Sequence, residues 1–139
     1  LEVAPELPAR VLPSACYHSM FKDCTSLVTA PELGQGASIG PASECCTSMF
    51  ENCKSLESAP ILRVYSLTGY KYACFSKMFK GCSNLKYIKA LFKSFEKNTL
   101  DSWLMGVSPN GTFVKNAEAT WDNSEAGIPE GWTIEYATE

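Results

Sequence analysis

The chain has 139 residues, 45% hydrophobic and 19% charged, which points to one globular domain with its own core and excludes wholesale disorder. No apolar run approaches the roughly 18 residues that a membrane-spanning helix needs. A net charge of −3 argues against a general nucleic-acid binder, and a single histidine, His18, narrows the catalytic schemes open to the chain.

Taken in chain order, LEVAPELPAR has neither a basic start nor an apolar stretch, so no signal peptide is expected within it. Leu1, Ala4, Pro5, Glu6 and Leu7 match Leu27, Ala30, Pro31, Glu32 and Leu33 at a period of 26. The chain therefore opens inside a unit, and further sequence upstream is expected. From Cys16 the period is 29: Cys16, Cys45 and Cys74 recur, as do Met20, Met49 and Met78; Phe21, Phe50 and Phe79; Cys24, Cys53 and Cys82; and Leu27, Leu56 and Leu85. Residues 15–33 match 44–62 at 10 of 19 positions, where average composition gives roughly one. Repeats of this length build solenoids, propellers or arrays, because one unit cannot bury its own apolar face.

Within a unit, Leu12, Cys16, Met20 and Cys24 step by four, which predicts about two helical turns opened by Pro13-Ser14 or Pro41-Ala42-Ser43. The stretches near 1–4, 27–30, 56–59 and 85–88 predict short strands, stopped in the first three by a proline that cannot donate to a ladder. The strands would stack as parallel rungs, with the helical turns on the opposite face.

After Leu91 the repeat is no longer visible. Residues 99–139 hold all three tryptophans, Trp103, Trp121 and Trp132. Asn110-Gly111 predicts a turn, Phe113 and Lys115 an alternating strand, and 127–134 a turn with a final strand. This tail reads as a β-rich cap over the last rung, or as a place where sugars stack on tryptophan.

The strings MFKDCTSLVTAPEL, MFENCKSLESAPIL and MFKGCSNLKYI carry a resemblance. They are similar to the BspA-like, treponemal-type leucine-rich repeat: an apolar-Phe pair, two residues, Cys, two residues, Leu, two residues, then Ile before a proline. Phe21, Cys24 and Leu27 fit it, as do Phe50, Cys53 and Leu56, and Phe79, Cys82, Leu85 and Ile88. The resemblance covers about residues 1–91, and the 29-residue length departs from the shorter common form. It implies an α/β leucine-rich-repeat solenoid of short parallel strands and short helices over 1–98, with the cap at 99–139. It also implies a bacterial cell-surface or secreted protein, a lipoprotein among the possibilities, that adheres to host matrix, cells or glycans and is anchored by upstream sequence.

The chemistry-bearing residues favour binding over catalysis. Seven cysteines lie as Cys-x7-Cys once per repeat, with no CxxC, so neither a metal nor any other cofactor is expected. Cys24, Cys53 and Cys82 read as a stacked internal column of thiols. Within one unit a disulfide would have to span about 12 Å of helical rise. Cys46 takes the place of Tyr17 and Phe75. Cys16 and His18 are two residues apart and would point to different helix faces. A serine triad would need the same histidine, the carboxylates show no pairing, and Gly34-x-Gly36 lacks the rest of a phosphate loop. No enzyme is expected.

Charge is uneven. Residues 71–98 carry seven lysines (Lys71, Lys77, Lys80, Lys86, Lys89, Lys93 and Lys97) against one glutamate, and residues 99–139 carry one lysine against seven acids. The lysines read as a solvated face or as a patch for an anionic glycan or protein. If Leu27, Leu56 and Leu85 point inward, the columns Thr29, Ser58, Tyr87 and Pro31, Pro60, Lys89 face outward. The candidate ligand-binding residues are thus Thr29, Ser58, Tyr87, Lys86 and Lys89, with Trp121 and Trp132 for sugars. The expected partner is an extracellular protein or glycan and not nucleic acid. The expected state is a monomer. A carbohydrate-binding module of a nutrient-capture system and a structural spacer are the rival readings.

Overall fold

A computed structural model describes residues 3–34, 39–64, 66–68, 71–122, 124 and 126–138. The step of four resolves into a backbone that is not helical. In residues 13–24 every second N–H closes a turn on its own chain: Cys16 to Pro13 O at 3.2 Å, His18 to Ala15 O at 3.3 Å and Met20 to Tyr17 O at 3.1 Å. The N–H groups between them reach the next coil: Tyr17 to Cys45 O at 2.8 Å, Ser19 to Thr47 O at 2.9 Å and Phe21 to Met49 O at 2.9 Å. Every fourth residue is left-handed, with φ of 58° at Ala15, 56° at Ser19 and 63° at Asp23. The segment is a ribbon of overlapping β-turns.

Residues 42–53 and 71–82 repeat this ribbon, with left-handed Glu44, Ser48 and Asn52, then Ala73, Lys77 and Gly81. The short helices expected here are therefore corrected to turn ribbons. A helix commits nearly all its N–H groups to its own chain. The ribbon keeps half of them for the neighbouring coil, which zips one repeat to the next. The one helical element described in full is a single 3₁₀ turn, Lys97–Thr99.

The long face of each coil adds a rung to a parallel sheet. Bridges join Val3 to Thr29, Thr29 to Ser58 and Ser58 to Tyr87. With β1 (Val11–Leu12), β2 (Gly40–Pro41) and β3 (Ser66–Leu67) on a shorter face, the long sheet continues through β4 (Tyr87–Ala90). β5 (Ser94–Phe95) returns to the short face, and β6 (Thr112–Lys115) and β7 (Thr133–Tyr136) complete the long sheet, β4 pairing with β6 and β6 with β7. On the short face β1 pairs with β2 and β3 with β5, all parallel. The architecture is a parallel β-solenoid of about five turns.

The segment set apart as a cap from residue 99 begins as a fourth ribbon. Phe75 donates to Thr99 O, Lys77 to Asp101 O and Phe79 to Trp103 O, and Ser102 and Gly106 are left-handed at φ 55° and 80°. Trp103, Leu104 and Val107 thus stand where the earlier coils carry Met78, Phe79 and Cys82.

The core runs along the axis in columns. Leu27, Leu56 and Leu85 are fully buried. The rings of Phe21, Phe50 and Phe79 stack at 5.6 Å between each pair. Beyond Phe79 the column opens into an aromatic cluster of Phe92, Trp103, Phe113 and Trp121. Among the described residues the first ribbon has a neighbour on one side only, and there Cys16 and Met20 are exposed while Cys45 and Met49 are buried. No helix among the described residues is long and apolar enough to cross a membrane.

Candidate functional site

The long sheet collects most of the residues singled out above. Thr29, Ser58 and Tyr87 are direct cross-rung partners and all three are exposed. The column begins at Val3 and continues through Thr112 and Thr133, so six rungs carry it. The sequence does predict strands near Phe113 and Ile134, yet it holds nothing that states their register with Tyr87.

The second expected outward column is corrected. Pro31 and Pro60 are buried and Lys89 is half-buried. Register slips by one residue at this corner: Ser58 pairs with Tyr87 at an offset of 29 residues, but Leu62 pairs with Ala90 at 28. Proline has no N–H for the ladder, so the chain turns inward where a regular strand would have continued.

The lysines do not form one patch. Lys71, Lys77 and Lys80 lie in the third ribbon, where Lys71 Nζ donates to Pro41 O at 3.1 Å. Lys86 is exposed on the long face beside Tyr87, and Lys89 lies three residues further along the same rung. Lys93 pairs with Glu118 at 2.5 Å.

The tryptophans are engaged within the fold. Trp132 is 7% exposed, donates its Nε1–H to Ser108 O at 2.8 Å and lies against Gly111, where a Cβ would stand 2.7 Å from its ring. Trp121 has Phe95 stacked at 4.2 Å, Trp103 at 5.7 Å and the edge of Phe113 at 5.0 Å. Its Nε1 is buried without a hydrogen-bond partner, and its exposed rim borders an open pocket of about 440 Å³ with Lys93, Phe95, Glu118 and Asp122.

Cys53 and Cys82 are buried donors, whereas Cys16 is exposed and Cys24 half-buried. Cys53 Sγ donates to Phe21 O at 3.1 Å and Cys82 Sγ to Phe50 O at 3.0 Å, the same bond one coil apart. Burial pushes the Cys53 thiol up to about 11, and Cys74 and Cys82 up to about 12. The sulfurs of Cys45 and Cys46 lie 3.5 Å apart; their contact holds Cys45 below the ordinary thiol value and, with burial, Cys46 well above it. Partial desolvation, with the neighbouring Cys45, also raises the exposed Cys16 thiol. His18 Nδ1 lies 3.0 Å from Ser19 Oγ. Among the described residues no three His, Cys, Asp or Glu side chains gather in a metal-holding group.

No protein-family model, curated protein or solved structure matches the chain.

Proposed function

We propose that the chain is a non-enzymatic interaction module whose contact surface is the long sheet face. In this reading it is a BspA-like leucine-rich-repeat protein of a bacterial surface, binding an extracellular protein or glycan. The observation that carries the proposal is the exposed column Thr29–Ser58–Tyr87, held in line by direct pairing and continued from Val3 to Thr133. Such a face offers one shallow contact per rung, from a small side chain at every rung but that of Tyr87. That suits a repetitive ligand bound through many weak contacts rather than one deep pocket. The repeated MF-x2-C-x2-L wording supports the family reading.

The experiment is binding of the purified chain to matrix proteins and to neutral and sulfated glycans, with Tyr87→Ala and Ser58→Arg as face variants. Binding that these variants abolish, with the circular dichroism spectrum unchanged, supports the proposal. Binding that neither variant alters refutes the face as the contact surface.

A second reading is a sugar site at the pocket beside Trp121, favoured by the unpartnered Nε1. Loss of neutral-sugar binding in Glu118→Ala and Asp122→Ala, with the long-face variants normal, would select it.

A further inference from the structure

We propose that Cys16 and Cys45 form a thiol–disulfide exchange site, which reduces a small organic disulfide and bridges the first two ribbons. The site lies in the turn ribbons and does not depend on the long face being a contact surface.

The two cysteines are equivalent residues of adjacent ribbons, 29 positions apart. The coils are zipped on both sides of the pair: Ala15 N–H reaches Ser43 O at 3.2 Å and Tyr17 N–H reaches Cys45 O at 2.8 Å. Hydrogen-bonded neighbours lie about 4.8 Å apart, inside the roughly 4.4–6.8 Å between Cα atoms that a disulfide accepts. Direction matters as much as distance. Each cysteine follows a left-handed residue, Ala15 at φ 58° and Glu44 at φ 57°. Each also closes the same turn, Cys16 N–H to Pro13 O and Cys45 N–H to Ala42 O, both at 3.2 Å. Equal backbones set the two Cα–Cβ bonds side by side rather than apart.

Exposure divides the roles. Cys16 is exposed and meets a dissolved disulfide, whereas Cys45 is fully buried and does not. In the first step the Cys16 thiolate attacks one sulfur of the disulfide, the S–S bond breaks, and one thiolate leaves. In the second the Cys45 thiolate attacks Cys16 Sγ, the mixed disulfide breaks, and the second thiolate leaves. The two cysteines give up two electrons and two protons, and the disulfide takes them up as two thiols. Cys46 is a positioning residue. Its sulfur touches that of Cys45 at 3.5 Å, and this contact, with the Lys71 charge behind it, favours the Cys45 thiolate while Cys46 keeps its proton. Cys45 does not turn to Cys46 instead, because the peptide between them is pinned on both sides. Its C=O accepts Tyr17 N–H, and its N–H donates to Cys74 O at 2.9 Å. Cys24 and Cys53 provide an internal comparison at the same spacing. Cys24 is half-buried, and Cys53 Sγ is committed to Phe21 O with its thiol pushed up to about 11.

The test mixes the reduced, folded chain with oxidised glutathione. Loss of two thiols without retained glutathione is expected, with a Cys16–Cys45 link in the peptide map. The urea midpoint should rise and fall back when a reductant is added. Cys45→Ser should stop at a glutathione adduct on Cys16, and Cys16→Ser should leave Cys45 unmodified. Cys46→Ala should move upward the pH at which the Cys16 adduct is resolved, a shift that lost packing alone would not produce. A Cys24–Cys53 link should form about tenfold more slowly, because a thiol raised by about two pH units loses about a hundredfold in thiolate and regains about tenfold in nucleophilicity. A glutathione adduct that persists on Cys16 of the parent chain overturns the proposal. So does a Cys45–Cys46 bridge, a Cys16–Cys16 bridge between two copies, or a chain that keeps all its thiols.

Discussion

Replacing Lys77 by glycine distinguishes a turn ribbon from a helix by the sign of the effect. Lys77 is exposed and sits at φ 54°, and its N–H reaches Asp101 O at 2.9 Å, a bond that glycine keeps. A left-handed conformation costs a residue with a Cβ about 1–2 kcal/mol, and glycine is relieved of it. Glycine's extra freedom in the unfolded chain returns about 0.4–1 kcal/mol of that gain. The net expectation is a stabilisation of about 0.5–1 kcal/mol, or a rise in Tm of a few degrees for a chain of this size. In a helix interior the same change would destabilise by somewhat under about 1 kcal/mol. Lys80→Gly is the control: Lys80 belongs to the same ribbon but is not left-handed, so glycine there should cost about 0.5–1 kcal/mol. Urea unfolding with a shared m-value reads both. A Lys77→Gly protein less stable than the parent would refute the ribbon at this position.

Other consequences follow from the columns. Phe50 stacks on two rings and Phe21 on one, so Phe50→Leu should lose about 1–3 kcal/mol to unfolding and Phe21→Leu about half as much; equal losses in urea would argue against the stack. The raised thiols of Cys53, Cys74 and Cys82 leave the folded chain with more bound protons than the unfolded one above pH 9. Their contribution is therefore complete below about pH 9, the unfolded thiol value, and is lost between there and the folded values. Stability should fall as the pH rises through this interval, by at most about 4 kcal/mol per pH unit where all three thiols are ionised in the unfolded chain and protonated in the folded one. Urea midpoints that stay flat over this interval would contradict the buried-donor reading. Gly111→Ala should cost about 1–3 kcal/mol, because its Cβ would stand 2.7 Å from both Lys86 O and the Trp132 ring, and should disturb tryptophan fluorescence; an unchanged spectrum and Tm would show that the contact is loose.

The repeat, the buried Leu27–Leu56–Leu85 column and the Thr29–Ser58–Tyr87 line follow from spacing, but the same spacing sends Pro31, Pro60 and Lys89 outward, which the structure overturns. Stacking requires equivalent residues to meet, so a period of 29 already states which side chains share a column, and leucine against threonine or serine states which columns face in. Backbone conformation within the ribbons was not legible in the same way. A four-residue step suits one face of a helix as well as it suits alternating turns, and the choice depends on where half of the N–H groups find acceptors. For Tyr17, Ser19 and Phe21 those acceptors belong to residues 28 further on, so they exist only once the coils have stacked. A local trace was present, since Asp23, Asn52 and Gly81 are residue types that tolerate the left-handed region. The fourth ribbon carries no repeat signature, because Trp103, Leu104 and Val107 fill its core without the Met-Phe-Cys wording, burial being indifferent to which apolar side chain supplies it. The alignment of Thr112 and Thr133 with Tyr87 depends on coil-to-coil register. That register is decided by hydrogen bonds between distant segments, so only the tertiary structure could supply it.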